Sequence, residues 1–330
     1  MKFSGKMPSG GYMFRCMYAV YRTSIGQWMH NRSLAAWDKG PHSVAEGAPE
    51  EGSAGRTDVV GDDAEEVVAE VHAIPYLEDN YAYLIVDRAS SGDFAAVVDP
   101  GDANAVVRVA RRLGVTVTHA LLTHSHHDHA GGNLELQALI PGVEIVSFVE
   151  EKSPGTTRTV ESGEIVKVGA LEFKVVPTPC HTTGHVCFYL DCSAVGATHS
   201  VASSERPCRA LFTGDTLFVG GCGKFFEGGA DEMANSLSVC AHFPKDTAIF
   251  CGHENTLDNL QFGAYALPGN DAISRRLAWA EARRAAGITT MPSTIGAELS
   301  TNVFMLARED VSELQRLRDA KDDKLHKRGE

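Results

Sequence analysis

In the run Thr123-His124-Ser125-His126-His127-Asp128-His129, four histidines and an aspartate fall between apolar Ala120-Leu121-Leu122 and flexible Ala130-Gly131-Gly132. Imidazole and carboxylate are the usual protein ligands for zinc and similar divalent metals. Alternate side chains of an extended segment share a face, so His124 and His126 can reach one ion together. Asp128 and His129 follow where the chain turns and can reach a second ion beside the first. A solvated histidine-rich loop is the competing account, and it fits poorly with an apolar lead-in. The fold must therefore deliver this stretch at the end of a strand.

The rest of the chain bounds the setting. Its 330 residues suit two domains, or one large domain with an appendage. A net charge of -13 argues against nucleic acid as the partner, since phosphate backbones demand a basic surface. No stretch approaches the roughly 18 apolar residues of a membrane-spanning helix. Eight cysteines are scattered without a Cys-x-x-Cys pair, which points to reduced thiols and not to a disulfide framework.

From Met1 to Trp37 there is no acidic residue, while Lys2, Lys6, Arg15, Arg22 and Arg32 are basic. That pattern fits a mitochondrial transit peptide, with an ordinary disordered tail as its competitor. Residues 40–65 are rich in Gly, Ala, Glu and Asp, as a linker is, so the folded protein is expected from near Glu66.

Beyond that point short apolar runs alternate with turns. Tyr81–Val86 and Phe94–Val98 read as a strand pair, and Asn104–Leu113 as a helix stopped by Gly114. A strand near Val115–Leu122 delivers the histidine stretch, a short helix runs from Asn133 to Leu139, and Val143–Phe148 is a further strand. Ile165–Val168, Leu171–Val176, Val186–Leu190, Ala210–Phe212 and Thr247–Phe250 are of strand length, and 192–209 reads as a surface loop. Ala272–Ala286 and Val311–Lys327 are helical, the second with Asp310 and Glu313 placed as a capping pair. The class is α+β.

His185, Asp215 and His253 each stand in a loop directly after a strand, where loops of one sheet edge converge. With these loops, the histidine stretch resembles the metal signature of the metallo-β-lactamase superfamily. Gly214-Asp215-Thr216-Leu217-Phe218 and Gly221-Cys222-Gly223-Lys224-Phe225-Phe226-Glu227-Gly228 narrow the resemblance to glyoxalase II, the hydroxyacylglutathione hydrolases. Cys251-Gly252-His253-Glu254, Pro292-Ser293-Thr294 and Asn302-Val303-Phe304-Met305 agree, and the likeness spans roughly residues 68–325.

The resemblance implies an αββα sandwich with a C-terminal helical domain: residues 66–255 catalytic and 256–330 helical and substrate-binding, after a transit-peptide-like and linker segment at 1–65. It implies two divalent metal ions, zinc first, with iron or manganese also suited to the ligands. One metal falls to His124, His126 and His185, the other to Asp128, His129 and His253, and Asp215 bridges them. His127 and His181 are left as structural histidines. Asp128 and Asp215 would orient a water whose pKa the metals lower towards about 7 for attack on a thioester carbonyl.

Lys224, Phe226, Asn255, Arg318 and Lys321 match the positions that grip glutathione. The family usually has tyrosine at Phe226 and Asn255, so two hydroxyl hydrogen bonds are lost here, each worth about 0.5–1.5 kcal/mol. The expected activity is hydrolysis of S-(2-hydroxyacyl)glutathione, typically S-D-lactoylglutathione, in methylglyoxal detoxification. The expected protein is a monomer acting on this small molecule, with no nucleic-acid or membrane partner. Competing readings are a thioesterase for another thiol carrier such as trypanothione, and a persulfide dioxygenase of the same fold with one iron.

Overall fold

The computed structural model describes residues 55–60, 67–90, 92–151, 153–193 and 207–328. The acid-free N-terminal stretch, and with it the transit-peptide expectation, lies outside these residues. Most of the surface loop expected at 192–209 lies outside them too.

Seven strands follow one another in space as they do in the chain: β1 (Gly55–Val60), β2 (Val67–Tyr76), β3 (Asn80–Asp87), β4 (Phe94–Val98), β5 (Thr116–Leu121), β6 (Glu144–Phe148) and β7 (Arg158–Val160). Pairing is antiparallel from β1 to β4 and parallel from β4 to β7. A second sheet uses β8 (Ile165–Val168), β9 (Leu171–Pro177), β10 (Val186–Asp191), β11 (Arg209–Gly214), β14 (Ala248–Cys251) and β15 (Ser293–Thr294), in the order β15-β14-β11-β10-β9-β8. A small hairpin, β12 (Leu217–Phe218) and β13 (Gly221–Cys222), completes the strands.

The burial pattern explains the layering. Every residue of β3 is buried, because Tyr83 and Ile85 face the second sheet while Leu84 and Val86 face helices. Between the sheets the ring of Tyr83 meets Phe250 edge-on at 5.3 Å, and Phe212 stacks on Phe250 at 5.2 Å. Helices α1 (Ala103–Leu113), α2 (His127–Ala130) and α3 (Asn133–Leu139) cover the first sheet. The second sheet is covered by α4 (Ala230–Ala241), α5 (Thr256–Ala266), α6 (Asp271–Ala285), α7 (Ile295–Thr301), α8 (Val303–Ala307) and α9 (Val311–Arg328). This is the αββα sandwich with added C-terminal helices. Phe212→Ala is expected to cost about 3–5 kcal/mol of stability, read as a lower urea midpoint at unchanged slope.

Local chemistry sets the element ends. Asp102 caps α1 by accepting from the Ala105 N–H, and Gly114 ends it at φ 68°. Two expectations need correction. Gly55–Val60, inside the segment assigned to a linker, is an edge strand in register with β2 from Gly55↔Ala73 onward. Val59 buries into the core between the sheets and Arg56 pairs with Glu70 at 2.9 Å, a short pattern that the polar composition of 40–65 masks. At α9 the capping pair is half made. Asp310 accepts from the Glu313 N–H at 3.0 Å, but the Glu313 carboxylate turns to Arg316.

Candidate metal centre

Strands from both sheets end at this site. β5 of the first sheet feeds the histidine stretch, while β11 and β14 of the second run parallel and release Asp215 and His253 at the same edge. The loop from β9 to β10 brings His181 and His185. Two glycines let these loops close up. A Cβ on Gly214, which sits at φ +46°, would lie 2.4 Å from Thr123 Oγ1. One on Gly252 would lie 2.4 Å from Asp215 Oδ1. Any side chain there would push the loops apart.

Hydrogen bonds assign the imidazole tautomers. His129 Nδ1 faces Asp99 Oδ2 at 3.0 Å, and His253 Nδ1 faces Asp79 Oδ1 at 2.9 Å. A carboxylate only accepts, so both Nδ1 atoms donate and both Nε2 lone pairs are offered elsewhere. They are offered to one point: the two Nε2 atoms lie 3.2 Å apart, each 3.5 Å from Asp128 Oδ2. Asn80 Nδ2 donates to that same oxygen at 3.1 Å. His124 Nδ1 lies 3.0 Å from Thr123 Oγ1, which donates to Asp99, and its fully buried Nε2 has no hydrogen-bond partner.

His181 is where the structure departs from the expectation. Its Nδ1 lies 2.9 Å from the Lys224 carbonyl, which can only accept, so Nε2 carries a lone pair. That Nε2 sits 2.9 Å from His126 Nδ1 and 3.4 Å from Asp215 Oδ2. His124, His126 and His181 form one group able to hold an ion, and Asp128, His129 and His253 form another.

His185, placed among the ligands from sequence, is spent otherwise. Its Nε2 accepts from the Asp215 backbone N–H at 3.1 Å, and its Nδ1 faces the Thr178 and Thr216 hydroxyls, each at 3.0 Å. An N–H can only donate, so the lone pair of Nε2 is consumed and His185 orients the Asp215 loop. His127 opens α2 and belongs to neither group.

Asp215 stands between the groups. Its carboxylate lies 3.3 Å from His129, 3.3 Å from His253 and 3.4 Å from His181, and its Oδ1 accepts no hydrogen bond. Unpartnered buried atoms on His124 and Asp215, with lone pairs converging from both sides, are what a pair of cations would satisfy.

The electrostatics agree. Burial holds His124 well below the usual imidazole range and His181 down at about 3, so both stay neutral. Burial also pulls on His129, but Asp215 and Asp128 outweigh it and leave it at about 9. Asp128 is held at about 2, where His129 and His253 overcome the opposing cost of burial. Carboxylates that stabilise imidazolium here would stabilise a dication in its place.

Further residues hold the loops in register. Asp99 ties Thr123 and His129 together from a positive φ of 51°. Glu151, also buried, accepts from the Thr182 hydroxyl beside His181. The sequence hinted at Asp99 only through Asp99-Pro100-Gly101 after a strand; Asp79 and Glu151 carried no hint.

A cavity of about 590 Å³ opens from this centre. It touches His181, Asp215 and His253, and it is also lined by Lys224, Phe226, Asn255, Arg318 and Lys321. The five substrate-side residues therefore share one space with the metal-side residues. The Phe226 ring walls it, 5.1 Å from the His181 ring. Arg318 and Lys321 are buried, not solvated, and Arg318 Nε has no partner. Burial and the neighbouring Arg318 lower Lys321 to about 8. Arg318 pairs with Asp322 and Lys321 lies 3.8 Å from Asp258, and the donors left over are of the kind that hold a carboxylate.

Comparison with known proteins yields two family profiles. The metallo-β-lactamase superfamily matches residues 76–253, and the hydroxyacylglutathione hydrolase C-terminus matches 254–324. A cytoplasmic hydroxyacylglutathione hydrolase of Arabidopsis thaliana is 43% identical over 244 residues, 73% of this chain and 89% of the relative. A hydroxyacylglutathione hydrolase of Rhodospirillum rubrum is 41% identical over 240 residues, 72% of this chain and 87% of the relative. Among solved structures, ETHE1 from Myxococcus xanthus shares the fold at TM-score 0.55 and 24% identity, over 76% of this chain and 89% of that one.

Proposed function

The chain belongs to the hydroxyacylglutathione hydrolase family of the metallo-β-lactamase superfamily, and on that premise we propose that it hydrolyses S-(2-hydroxyacyl)glutathione, S-D-lactoylglutathione first, to glutathione and the 2-hydroxy acid. The observation that carries the substrate is the continuity of the cavity, from Asp215 and the histidines to the buried pair Arg318 and Lys321. A thioester with a distant carboxylate spans such a space.

In this reading His124, His126 and His181 would hold one divalent metal and Asp128, His129 and His253 a second, with the Asp215 carboxylate lying between the two groups. Zinc is proposed; the same nitrogen and oxygen donors accept iron or manganese. Bound dications would lower the pKa of water and polarise a carbonyl. Asp128 and Asp215 would orient the attacking water by accepting hydrogen bonds from it. Phe226 keeps solvent off the His126–His181 side, and Arg318 and Lys321 fix the far carboxylate so that the thioester lies over the centre. Because a thiolate leaves readily, no side-chain acid is required. The basic, acid-free Met1–Trp37 stretch supports mitochondrial import, tested by organelle fractionation.

The test is thioester hydrolysis before and after dialysis against a chelator. Turnover of S-D-lactoylglutathione that falls at least about 100-fold on chelation and returns with zinc is expected. Turnover that persists without metal would sink the mechanism. Oxygen uptake on glutathione persulfide by a single-iron form would replace it with the dioxygenase reading.

A further inference from the structure

Asn259 lies on α5 one turn after Asn255 and is fully buried. Its Oδ1 accepts from Lys321 Nζ, an ammonium that can only donate. Its Nδ2 therefore carries the protons that reach the Val219 carbonyl at 3.0 Å and Asn255 Oδ1 at 2.7 Å. The Asn255 amide is oriented in turn: Oδ1 is spent inward as an acceptor, and the Nδ2 end keeps its two donors. A Cβ on Gly221 would lie 2.6 Å from Asn259 Cγ, so the backbone of β13 packs flat on this amide and leaves it no room to turn.

Asn255 lines the cavity, and it is the one carboxamide among the described residues that do. The Phe226 side chain, which also lines the cavity, is a hydrocarbon ring. We propose that Lys321, Asn259 and Asn255 form a polarity relay. Through it Asn255 becomes a specificity-determining donor for a carbonyl oxygen of the thiol carrier. With the proposed substrate, the far carboxylate engages Lys321 while a peptide carbonyl meets Asn255. A carrier without a peptide carbonyl leaves the oriented donors unmatched and is discriminated against. Asn259 touches no substrate; it is a positioning residue. The inference rests on the thioesterase reading for its substrate.

Binding and turnover are measured separately. S-methylglutathione affinity is read by calorimetry, and steady-state kinetics use S-D-lactoylglutathione. Asn255→Ala is expected to raise both Kd and KM about tenfold, with kcat changed less than about threefold. Asn259→Asp, which can only accept, draws Asn255 Nδ2 inward and turns Oδ1 to the cavity, so Kd rises at least as much. The double variant should be no worse than Asn255→Ala alone, since both remove one interaction. If Asn259→Asp does not fold, Asn255→Asp keeps the shape with acceptors only and must show the same rise in Kd. Kd within twofold of wild type for Asn255→Ala or Asn255→Asp overturns the relay, as does an additive double variant. A wild-type enzyme that binds S-methylglutathione tenfold more tightly than Asn255→Ala, yet hydrolyses no thioester, upholds the relay and removes the thioesterase reading. A wild type that binds no S-methylglutathione overturns both.

Discussion

His181→Ala is expected to remove one of two bound metals and to lower kcat/KM for S-D-lactoylglutathione on the order of 10²–10³-fold. The reasoning is local. His181 Nε2 and His126 Nδ1 face each other at 2.9 Å, and the Lys224 carbonyl fixes the His181 proton on the other nitrogen. Removing the ring removes that lone pair from the group that faces His126. His185→Ala is expected to behave differently, although the residue is just as buried. Its removal leaves the Asp215 N–H without its partner, at about 1–3 kcal/mol for a buried unsatisfied group, while the Thr178 and Thr216 hydroxyls keep each other. Metal content should stay at two while the unfolding midpoint falls. Elemental analysis and urea unfolding on both variants separate the cases. Metal loss confined to His185→Ala would return that residue to the ligand set.

The same pair shows how far a sequence can be read. The stretch from Thr123 to His129 announces a metal because its chemistry is concentrated in consecutive residues on one strand end. The layering was legible as well: hydrophobic runs such as Leu171–Val176 alternate in and out, and β3 is apolar on both faces because it lies between a sheet and helices. Choosing between His181 and His185 was not legible. Both sit in one loop after β9, four residues apart, and both are imidazoles. What separates them is a carbonyl on Lys224 and a backbone N–H on Asp215, contacts across 43 and 30 residues of chain. Spacing carries no information about such partners. Arg318 and Lys321 were ambiguous for a related reason. Acidic neighbours on α9 look like a solvated face until the cavity wall is in place.

Charge distribution links these sites. The chain carries a net charge of -13, and its cavity is lined by both signs: Lys224, Arg284, Arg318 and Lys321 beside Asp79, Asp215, Glu254 and Asp258. On the proposed function, an anionic substrate is repelled by the average surface, and the buried pair Arg318 and Lys321 gives its carboxylate a place to bind. Asp79, Asp128 and Asp215 hold the opposite role around the histidines, where a cation is to be kept.

Asp215→Asn tests that balance, and its expected effect exceeds that of His181→Ala because Asp215 contacts histidines of both groups. The substitution keeps the shape and removes the charge. Both metals should bind more weakly, and kcat/KM should fall by about 10³-fold or more. The metal-free protein gives a second readout. Burial lowers the His129 pKa, but Asp215 and Asp128 raise it to about 9, above its unfolded value of 6.5. A histidine raised in the folded state contributes stability that is fully present below 6.5 and is lost as pH rises through about 9. Chelated wild-type protein should therefore lose stability to urea across that window. In Asp215→Asn the larger of the two raising charges is gone, so the slope should flatten. In the metal-loaded wild type the His129 contribution should vanish, because the same nitrogen cannot hold both a proton and a metal. A chelated wild type equally stable at both ends of the window would show that Asp215 does not govern the charge of His129.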